Sequence, residues 1–289
     1  MHVAILGVGL MGAPIGRRLR EAGFALTAWN RTLEKARQLA PHGARVAPSA
    51  ADAVREADVV VTMLENGDVV EHVVFGLGVA EAMREGTLLV DMSSIRPAQA
   101  RDHAARLAAR GIGHLDAPVS GGTVGAEAGT LAIMAGGQAS DFERARPVFA
   151  PLGRATHVGP HGAGQLAKLA NQMIVGITIG AISEALLLAA QGGADMAKVR
   201  EAIRGGFAES RILDVHGQRI VEGDFAKRAA LAVQLKDMRN ALATAAELGF
   251  DAPITRLFEE LYASASEHGY ADLDHCALFC ELARRNGAQ

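Results

Sequence analysis

The sequence predicts an α/β fold in which a doubly wound sheet is followed by an all-α C-terminal domain. Three observations support this. Short apolar runs of strand length alternate with helical patterns through the first half of the chain. A glycine-rich turn follows the first apolar run directly, and beyond Gly164 no strand-like run exceeds a few residues. We therefore predict two domains, a nucleotide-binding domain at residues 1–161 and a helical substrate and dimerisation domain at residues 162–289.

The composition is that of a folded protein with a sizeable core. About half of the 289 residues are apolar (49%), and the formal net charge is -3, which argues against a nucleic-acid-binding surface. Cys276 and Cys280 lie one helical turn apart, a spacing that favours buried, inert thiols over a disulfide framework or a metal site. The first predicted strand begins at His2, which leaves no room for a secretory signal. We expect a cytoplasmic protein without a nucleic-acid or membrane partner.

The glycine-rich turn predicts a dinucleotide site of the Rossmann type. A strand at residues 2–6 precedes the turn, a helix to about Ala22 follows it, and a second strand spans residues 25–29. The first glycine permits a tight turn, the second lets the backbone approach a pyrophosphate, and the third allows close helix packing. The predicted cofactor-binding residues of the turn are Gly7, Val8, Gly9, Leu10, Met11 and Gly12. Purely structural glycines are the alternative, which the strand–turn–helix context argues against.

The residues after the second strand predict which dinucleotide binds. NAD sites usually place an Asp or Glu there, on the ribose 2′-hydroxyl. This chain has Asn30, Arg31 and Thr32 instead. A guanidinium can fork onto a 2′-phosphate, and a threonine can add a hydroxyl. The sequence therefore favours NADP, with NAD possible; a solvated arginine at a helix start is the alternative.

Further strands are predicted at residues 58–64, 87–91, 112–116, 131–135 and 155–158, with helices at 49–56 and from Arg96-Pro97. Ligands of such sheets bind beyond the carboxyl ends of the strands, where the predicted cofactor-binding residues Met63, Leu64 and Ser94 lie. The loop Ser120-Gly121-Gly122 offers backbone N–H groups and a hydroxyl that could grip a carboxylate. A flexible turn is the alternative for this loop.

A long helix is predicted from Gly164 to Gln191, and it carries a lysine near its start. Lys168, Asn171 and Gln172 share one helix face because they are three and four residues apart. A lysine in so apolar a segment is paired, reaches water, or serves as a titratable amine. Residues 173–190 approach transmembrane length, but a glutamate and glycines interrupt them, which favours a helix buried between protein surfaces. Further helices are predicted at 196–204, 230–248, 253–268 and 274–285, with an irregular stretch at 205–226.

These motifs, in this order, resemble the β-hydroxyacid dehydrogenase family over essentially the whole chain. The residues that carry the resemblance are Gly7–Gly12, Asp91-Met-Ser-Ser94, Asp116-Ala-Pro-Val-Ser-Gly-Gly122, Gly162-Ala-Gly-Gln-Leu-Ala-Lys168 with Asn171-Gln172, and Lys236-Asp237. The resemblance implies that Lys168 is the catalytic lysine and that Ser120, Gly121 and Gly122 bind the substrate carboxylate. It places Ser94 and Lys236 near the nicotinamide. Some members have the substrate-contacting Asn four residues after the lysine, where this chain has Gln172, so both Asn171 and Gln172 are kept.

The expected reaction interconverts a short β-hydroxyacid and its semialdehyde by hydride transfer to or from NAD(P). A desolvated amine such as that of Lys168 can donate or accept the proton of the substrate oxygen, and no metal is required. Tartronate semialdehyde ranks first as substrate, ahead of glyoxylate, succinic semialdehyde and 3-hydroxyisobutyrate. The alternatives are an imine reductase, a non-catalytic NADP-binding module and 6-phosphogluconate dehydrogenase, whose helical domain is far longer. The apolar long helix further predicts a homodimer or homotetramer.

Overall fold

The computed structural model describes residues 1–288 of the chain. They divide into two compact units, residues 1–168 and the residues from 169 onward. The first unit contains the sheet and the second is helical, so the predicted fold class is confirmed. The predicted domain boundary after residue 161 stays a prediction.

One sheet organises the first unit. Within residues 1–288 its strands are β1 (His2–Leu6), β2 (Ala25–Trp29), β3 (Arg45–Val46), β4 (Val59–Thr62), β5 (Leu88–Asp91), β6 (Gly113–Asp116), β7 (Val119–Ser120), β8 (Leu131–Gly137) and β9 (Gly153–Gly159). Their order is β3-β2-β1-β4-β5-β6-β8-β7, with β9 beside β8. The neighbours from β3 to β6 are parallel, whereas β8 runs antiparallel to β6 and β7. The order 3-2-1-4-5-6 is that of dinucleotide-binding sheets.

Two of these strands were not predicted from the sequence. Both β3 and β7 are two residues long, too short for an apolar pattern to be recognised. Val119 and Ser120 lie in the predicted carboxylate loop, and they pair with Ile133 and Ala132 of β8. Part of that loop is therefore held by the sheet.

Helices cover both faces of the sheet. They are α1 (Gly12–Glu21), α2 (Leu33–Arg37), α3 (Ala50–Val54), α4 (Gly67–Glu71), α5 (Val79–Ala82), α6 (Pro97–Ala108), α7 (Gly122–Ala128) and α8 (Ala139–Phe149). In β1, Val3 and Ile5 belong to one buried apolar cluster, and Ala4 and Leu6 belong to another. Alternate side chains of a strand point to opposite faces, so both faces of the sheet are buried.

The helical unit contains most of a long helix and those that follow it. The helices are α9 (Ala163–Gln191), α10 (Met196–Ile203), α11 (Gln218–Glu222), α12 (Leu231–Glu247), α13 (Pro253–Ala265) and α14 (Leu278–Arg285). The prediction of an irregular stretch at 205–226 was wrong in part, because α11 and a π-helical turn at Leu213–Gly217 lie within it. Gly176 and Gly180 allow the close helix packing that their spacing indicates, since a Cβ atom at either would clash with Met238 or Phe258.

By length and composition, α9 alone among the described helices could cross a membrane. An 18-residue window of α9 has a mean hydropathy of 2.0, and 39% of that window is buried. The core helix of a soluble protein passes the same test. Ile179 and Leu186 of α9 are buried in an apolar cluster of the helical unit. We therefore interpret α9 as a core helix.

Candidate active site

The glycine-rich turn between β1 and α1 has the shape that a dinucleotide requires. Gly7 has a φ of +102°, and a Cβ atom there would clash with the backbone of Met63. A Cβ atom at Gly12 would overlap the carbonyl of Gly7, whereas a Cβ atom at Gly9 would meet no protein atom within 4 Å. Gly7 and Gly12 are therefore required by the fold itself. The open space at Gly9 fits the close approach of a pyrophosphate.

Asn30 fastens this turn to the end of β2. Its Oδ1 accepts a hydrogen bond from the Val8 N–H at 3.0 Å, and its Nδ2 donates to the Thr32 carbonyl at 3.0 Å. Arg31 and Thr32 are exposed, and Arg31 forms no salt bridge with any residue the structure describes. The amide of Asn30 thus shapes the loop, while the guanidinium beside it faces solvent.

A buried polar network joins the ends of β4 and β5. The Leu64 N–H donates to Ser93 Oγ at 2.9 Å, and the Thr62 hydroxyl donates to Asp91 Oδ1 at 2.7 Å. The same Asp91 oxygen accepts the Ser93 N–H at 3.0 Å, and burial raises the pKa of this carboxyl group. The network brings together Leu64 and the loop that contains Ser94. In the sequence, the sign of this network is an aspartate at the end of an otherwise apolar strand.

Lys168 lies beside the predicted carboxylate loop, within the first unit. Its Nζ donates a hydrogen bond to the Val119 carbonyl at 2.8 Å, and its side chain is half-buried. Gly121 and Gly122 have φ values of +133° and +61°, which side chains on a Cβ atom rarely adopt. The structure therefore brings the amine next to Ser120 and to two successive glycine N–H groups.

Two buried polar residues of this region were missed from the sequence. Asp116 accepts hydrogen bonds from the N–H groups of Gly162 and Gln165 at 2.7 and 2.9 Å. The Gln165 side chain is fully buried and binds the backbone of Ser93 and Ile95 at 2.8 and 3.1 Å. Both residues stand in motifs noted above, but nothing in the sequence pairs them.

In the helical unit, a polar cluster around Asp237 contains three residues predicted from the sequence. Its Oδ2 accepts from Gln172 Nε2 at 2.7 Å, and its Oδ1 lies 3.3 Å from Lys236 Nζ. Asn171 Nδ2 donates to Gln172 Oε1 at 2.8 Å. Gln234 Nε2 donates to the Gln172 carbonyl at 2.9 Å. Asp237 is 2% exposed, so it holds this polar cluster from inside the unit.

Two histidines and an aspartate in the helical unit lie close enough together to resemble a metal site. His216 and His275 lie close to the buried carboxylate of Asp274. That carboxylate already accepts from Arg219 at 3.4 Å and from the Ala229 N–H at 3.1 Å. A guanidinium in this position repels a cation. The expectation that the enzyme needs no metal stays a prediction.

Comparisons with known proteins decide the family. A family model described as the NAD binding domain of 6-phosphogluconate dehydrogenase matches residues 2–159. A second, described as NAD-binding of NADP-dependent 3-hydroxyisobutyrate dehydrogenase, matches residues 162–282. The 2-hydroxy-3-oxopropionate reductase of Escherichia coli (strain K12) is 41% identical over 280 residues, which cover 96% of each chain. The chain belongs to the β-hydroxyacid dehydrogenase family.

Two other β-hydroxyacid dehydrogenases show the range of the family. The NAD-dependent L-serine dehydrogenase of Pseudomonas aeruginosa is 35% identical, with 94% of this chain and 95% of that protein covered. A solved structure of Mycobacterium tuberculosis 3-hydroxyisobutyrate dehydrogenase with L-serine has a TM-score of 0.90 and 36% identity, covering 98% and 99% of the two chains. The predicted enzyme class, an NAD(P)-dependent oxidoreductase acting on CH–OH donors, is thereby confirmed. The roles of individual site residues stay predictions.

Proposed function

We propose that this β-hydroxyacid dehydrogenase uses NADPH to reduce tartronate semialdehyde, which is 2-hydroxy-3-oxopropionate, to glycerate. The observation that carries the proposal is the 2.8 Å hydrogen bond from Lys168 Nζ to the Val119 carbonyl. It supports a proton donor directly beside Ser120, Gly121 and Gly122, which would hold the substrate carboxylate. The nicotinamide, when bound, supplies the hydride.

The residues of the chain then bind the substrate and transfer the proton. The N–H groups of Gly121 and Gly122, with the Ser120 hydroxyl, bind the carboxylate and fix the carbonyl at a set distance. Lys168 donates a proton to the substrate oxygen that becomes an alkoxide, and takes it back in the reverse direction. We propose Asn171 as the contact for the 2-hydroxyl group, because it lies three residues after Lys168 on the same helix face and uses its Nδ2 for Gln172, whereas Gln172 uses both ends of its amide, for Asn171 and Asp237.

The substrate assignment rests on this polar contact and on the name of the Escherichia coli relative. A site that hydrogen-bonds a hydroxyl discriminates against analogues without it, since its own polar groups are left unpaired. The alternatives are 3-hydroxyisobutyrate, glyoxylate and succinic semialdehyde. L-Serine, which is bound in the Mycobacterium tuberculosis relative, carries an amine where glycerate has a hydroxyl.

The substrate is tested by comparing kcat/KM values. We expect tartronate semialdehyde to exceed methylmalonate, succinate and malonate semialdehydes with NADPH, by roughly tenfold or more. In the oxidative direction, glycerate is compared with L-serine and 3-hydroxyisobutyrate. If a substrate without the hydroxyl is preferred by tenfold, the substrate proposal is wrong, while the family assignment is unaffected.

Cofactor preference is expected to depend on Arg31. Replacing Arg31 by alanine removes the guanidinium proposed to bind the 2′-phosphate, a charge-assisted contact of about 1.5–3 kcal/mol, or roughly ten- to a hundredfold in affinity. NADPH affinity should fall by this factor and NADH affinity should change little, as measured by fluorescence titration with both cofactors. Arg37→Ala, an exposed arginine of α2, is the control. Equal losses for both cofactors would show that Arg31 does not bind the 2′-phosphate.

We propose that the chain forms a homodimer or homotetramer through its helical unit. Large apolar side chains are exposed there in the single chain: Ile174, Leu188, Leu248, Phe250, Ile254 and Leu257. A soluble protein rarely leaves so much apolar surface in water. Light scattering at micromolar concentration should give at least twice the mass of 30.1 kDa, and a monomer at that concentration would contradict the proposal.

We also propose that the protein is located in the cytoplasm, which cell fractionation tests.

A further inference from the structure

The start of α9 is held by a carboxylate that comes from a strand. Asp116 ends β6, and its side chain is fully buried. Its two oxygens accept the N–H groups of Gly162 and Gln165 at 2.7 and 2.9 Å. The first N–H groups of a helix have no partner within the helix, and Gly162 has no side chain to supply one. Asp116 therefore caps α9 from another element, where the helix dipole favours a negative charge.

Gln165 ties the same turn of α9 to the loop after β5. Its Nε2 donates to the Ser93 carbonyl at 2.8 Å, and its Oε1 accepts the Ile95 N–H at 3.1 Å. Both contacts are to backbone atoms on either side of Ser94, the residue predicted to lie near the nicotinamide. The turn is thus fixed to two loops at the carboxyl ends of neighbouring strands.

The lysine follows one helical turn later. Lys168 is three residues beyond Gln165 and binds the carbonyl of Val119, which is three residues beyond Asp116. The helix and the strand segment are therefore linked at two successive points. We propose that Asp116 and Gln165 are positioning residues that hold the helical turn of the proton donor beside the carboxylate loop. This rests on the proposed function, in which the lysine transfers the proton.

The burial of Asp116 makes this cap sensitive to pH. Burial, with a smaller contribution from Asp91, raises the pKa of Asp116 to about 6, although the helix N–H groups oppose the rise. Burial lowers the pKa of His114 to about 3 and also lowers that of His161, so neither neighbouring ring is a cation near neutral pH. Lys168 lies one turn along the helix. The carboxylate is ionised above about pH 6, and protonation below that value removes an acceptor from the start of α9.

Asp116→Asn tests the proposal, because the amide can accept only one of the two N–H groups. We expect kcat to fall by about tenfold or more, since small displacements of a catalytic group are costly. NADPH affinity should stay within about twofold, as measured by titration, because the phosphates bind elsewhere. The wild-type loss of kcat as pH falls through about 6 should be absent in the variant. Hydrogen exchange at the amides of 162–168 should become faster.

Two further variants separate the role of Gln165 from a general loss of stability. Gln165→Met preserves size but removes both side-chain hydrogen bonds, so kcat should fall while the acid-side loss near pH 6 remains. Thr87→Val is the control, since it removes a buried hydroxyl bonded to Ala57 without touching α9, and kcat should be unchanged. Unchanged exchange at 162–168 in Asp116→Asn, a retained acid-side loss, or an equal kcat loss in Thr87→Val each overturns the proposal. Faster exchange in an enzyme that reduces no semialdehyde would instead refute only the proposed function.

Discussion

Replacing Lys168 by alanine is expected to lower kcat by about 10² to 10⁴, the usual contribution of a positioned proton donor. The substitution removes the amine that donates to the Val119 carbonyl and that we propose as the proton donor to the substrate oxygen. NADPH affinity should remain near that of the wild type, because we propose that the phosphates bind at the turn between β1 and α1. Steady-state kinetics with tartronate semialdehyde and a fluorescence titration with NADPH measure the two effects separately.

The control for this variant is another lysine to alanine substitution. Lys198 is exposed on α10, so Lys198→Ala should leave both kcat and NADPH affinity unchanged. If Lys168→Ala keeps substantial activity, another residue donates the proton. Lys236, whose Nζ lies 3.3 Å from Asp237 Oδ1 in the helical unit, would then be the first residue to replace.

Replacing Gly9 by valine is expected to weaken NADPH binding by about a hundredfold while leaving the fold intact. Apart from its two chain neighbours, no protein atom lies within 4 Å of a Cβ atom at this position, so the valine side chain would enter the space that we propose for the cofactor. Overfilling a well-packed contact costs about 3 kcal/mol, which corresponds to roughly a hundredfold in affinity. Titration with NADPH measures the loss, and thermal denaturation without cofactor checks stability.

Two glycine variants provide the comparison. Gly206→Ala adds a methyl group at an exposed position of the helical unit and should change neither property. Gly12→Ala should lower the melting temperature, because the methyl group overlaps the carbonyl of Gly7. Normal NADPH affinity in Gly9→Val would mean that the pyrophosphate does not lie over this turn.

The parts of the molecule that the sequence predicted are those whose chemistry is local. The three glycines of the first turn lie within six residues of one another, and strands such as β1, β4 and β5 are short, mostly apolar runs. Lys168 could be predicted because a single cation in an apolar helix is conspicuous. The two-residue strand Val119–Ser120 was missed because it exists only through its pairing with β8.

The supporting residues were missed because their partners are distant in the chain. Asp116 and Gln165 are separated by 49 positions, and Gln172 and Asp237 by 65. A buried carboxylate is acceptable only where donors reach it, and one sequence does not reveal which donors those are. The sequence thus indicated the groups proposed to contact ligands better than the groups that hold them in place.

The two hydrogen bonds of Asn30 bear on attempts to favour NADH over NADPH, the cofactor that we propose. The obvious substitution is Asn30→Asp, because an acid at the end of β2 would face the ribose hydroxyl of NAD. An aspartate keeps an oxygen for the Val8 N–H, but it places a second oxygen against the Thr32 carbonyl where the amide now donates. The repulsion would distort the loop that the new acid was meant to serve. A change of coenzyme is therefore better sought at Arg31, whose exposed side chain forms no salt bridge within the part of the chain that the structure describes.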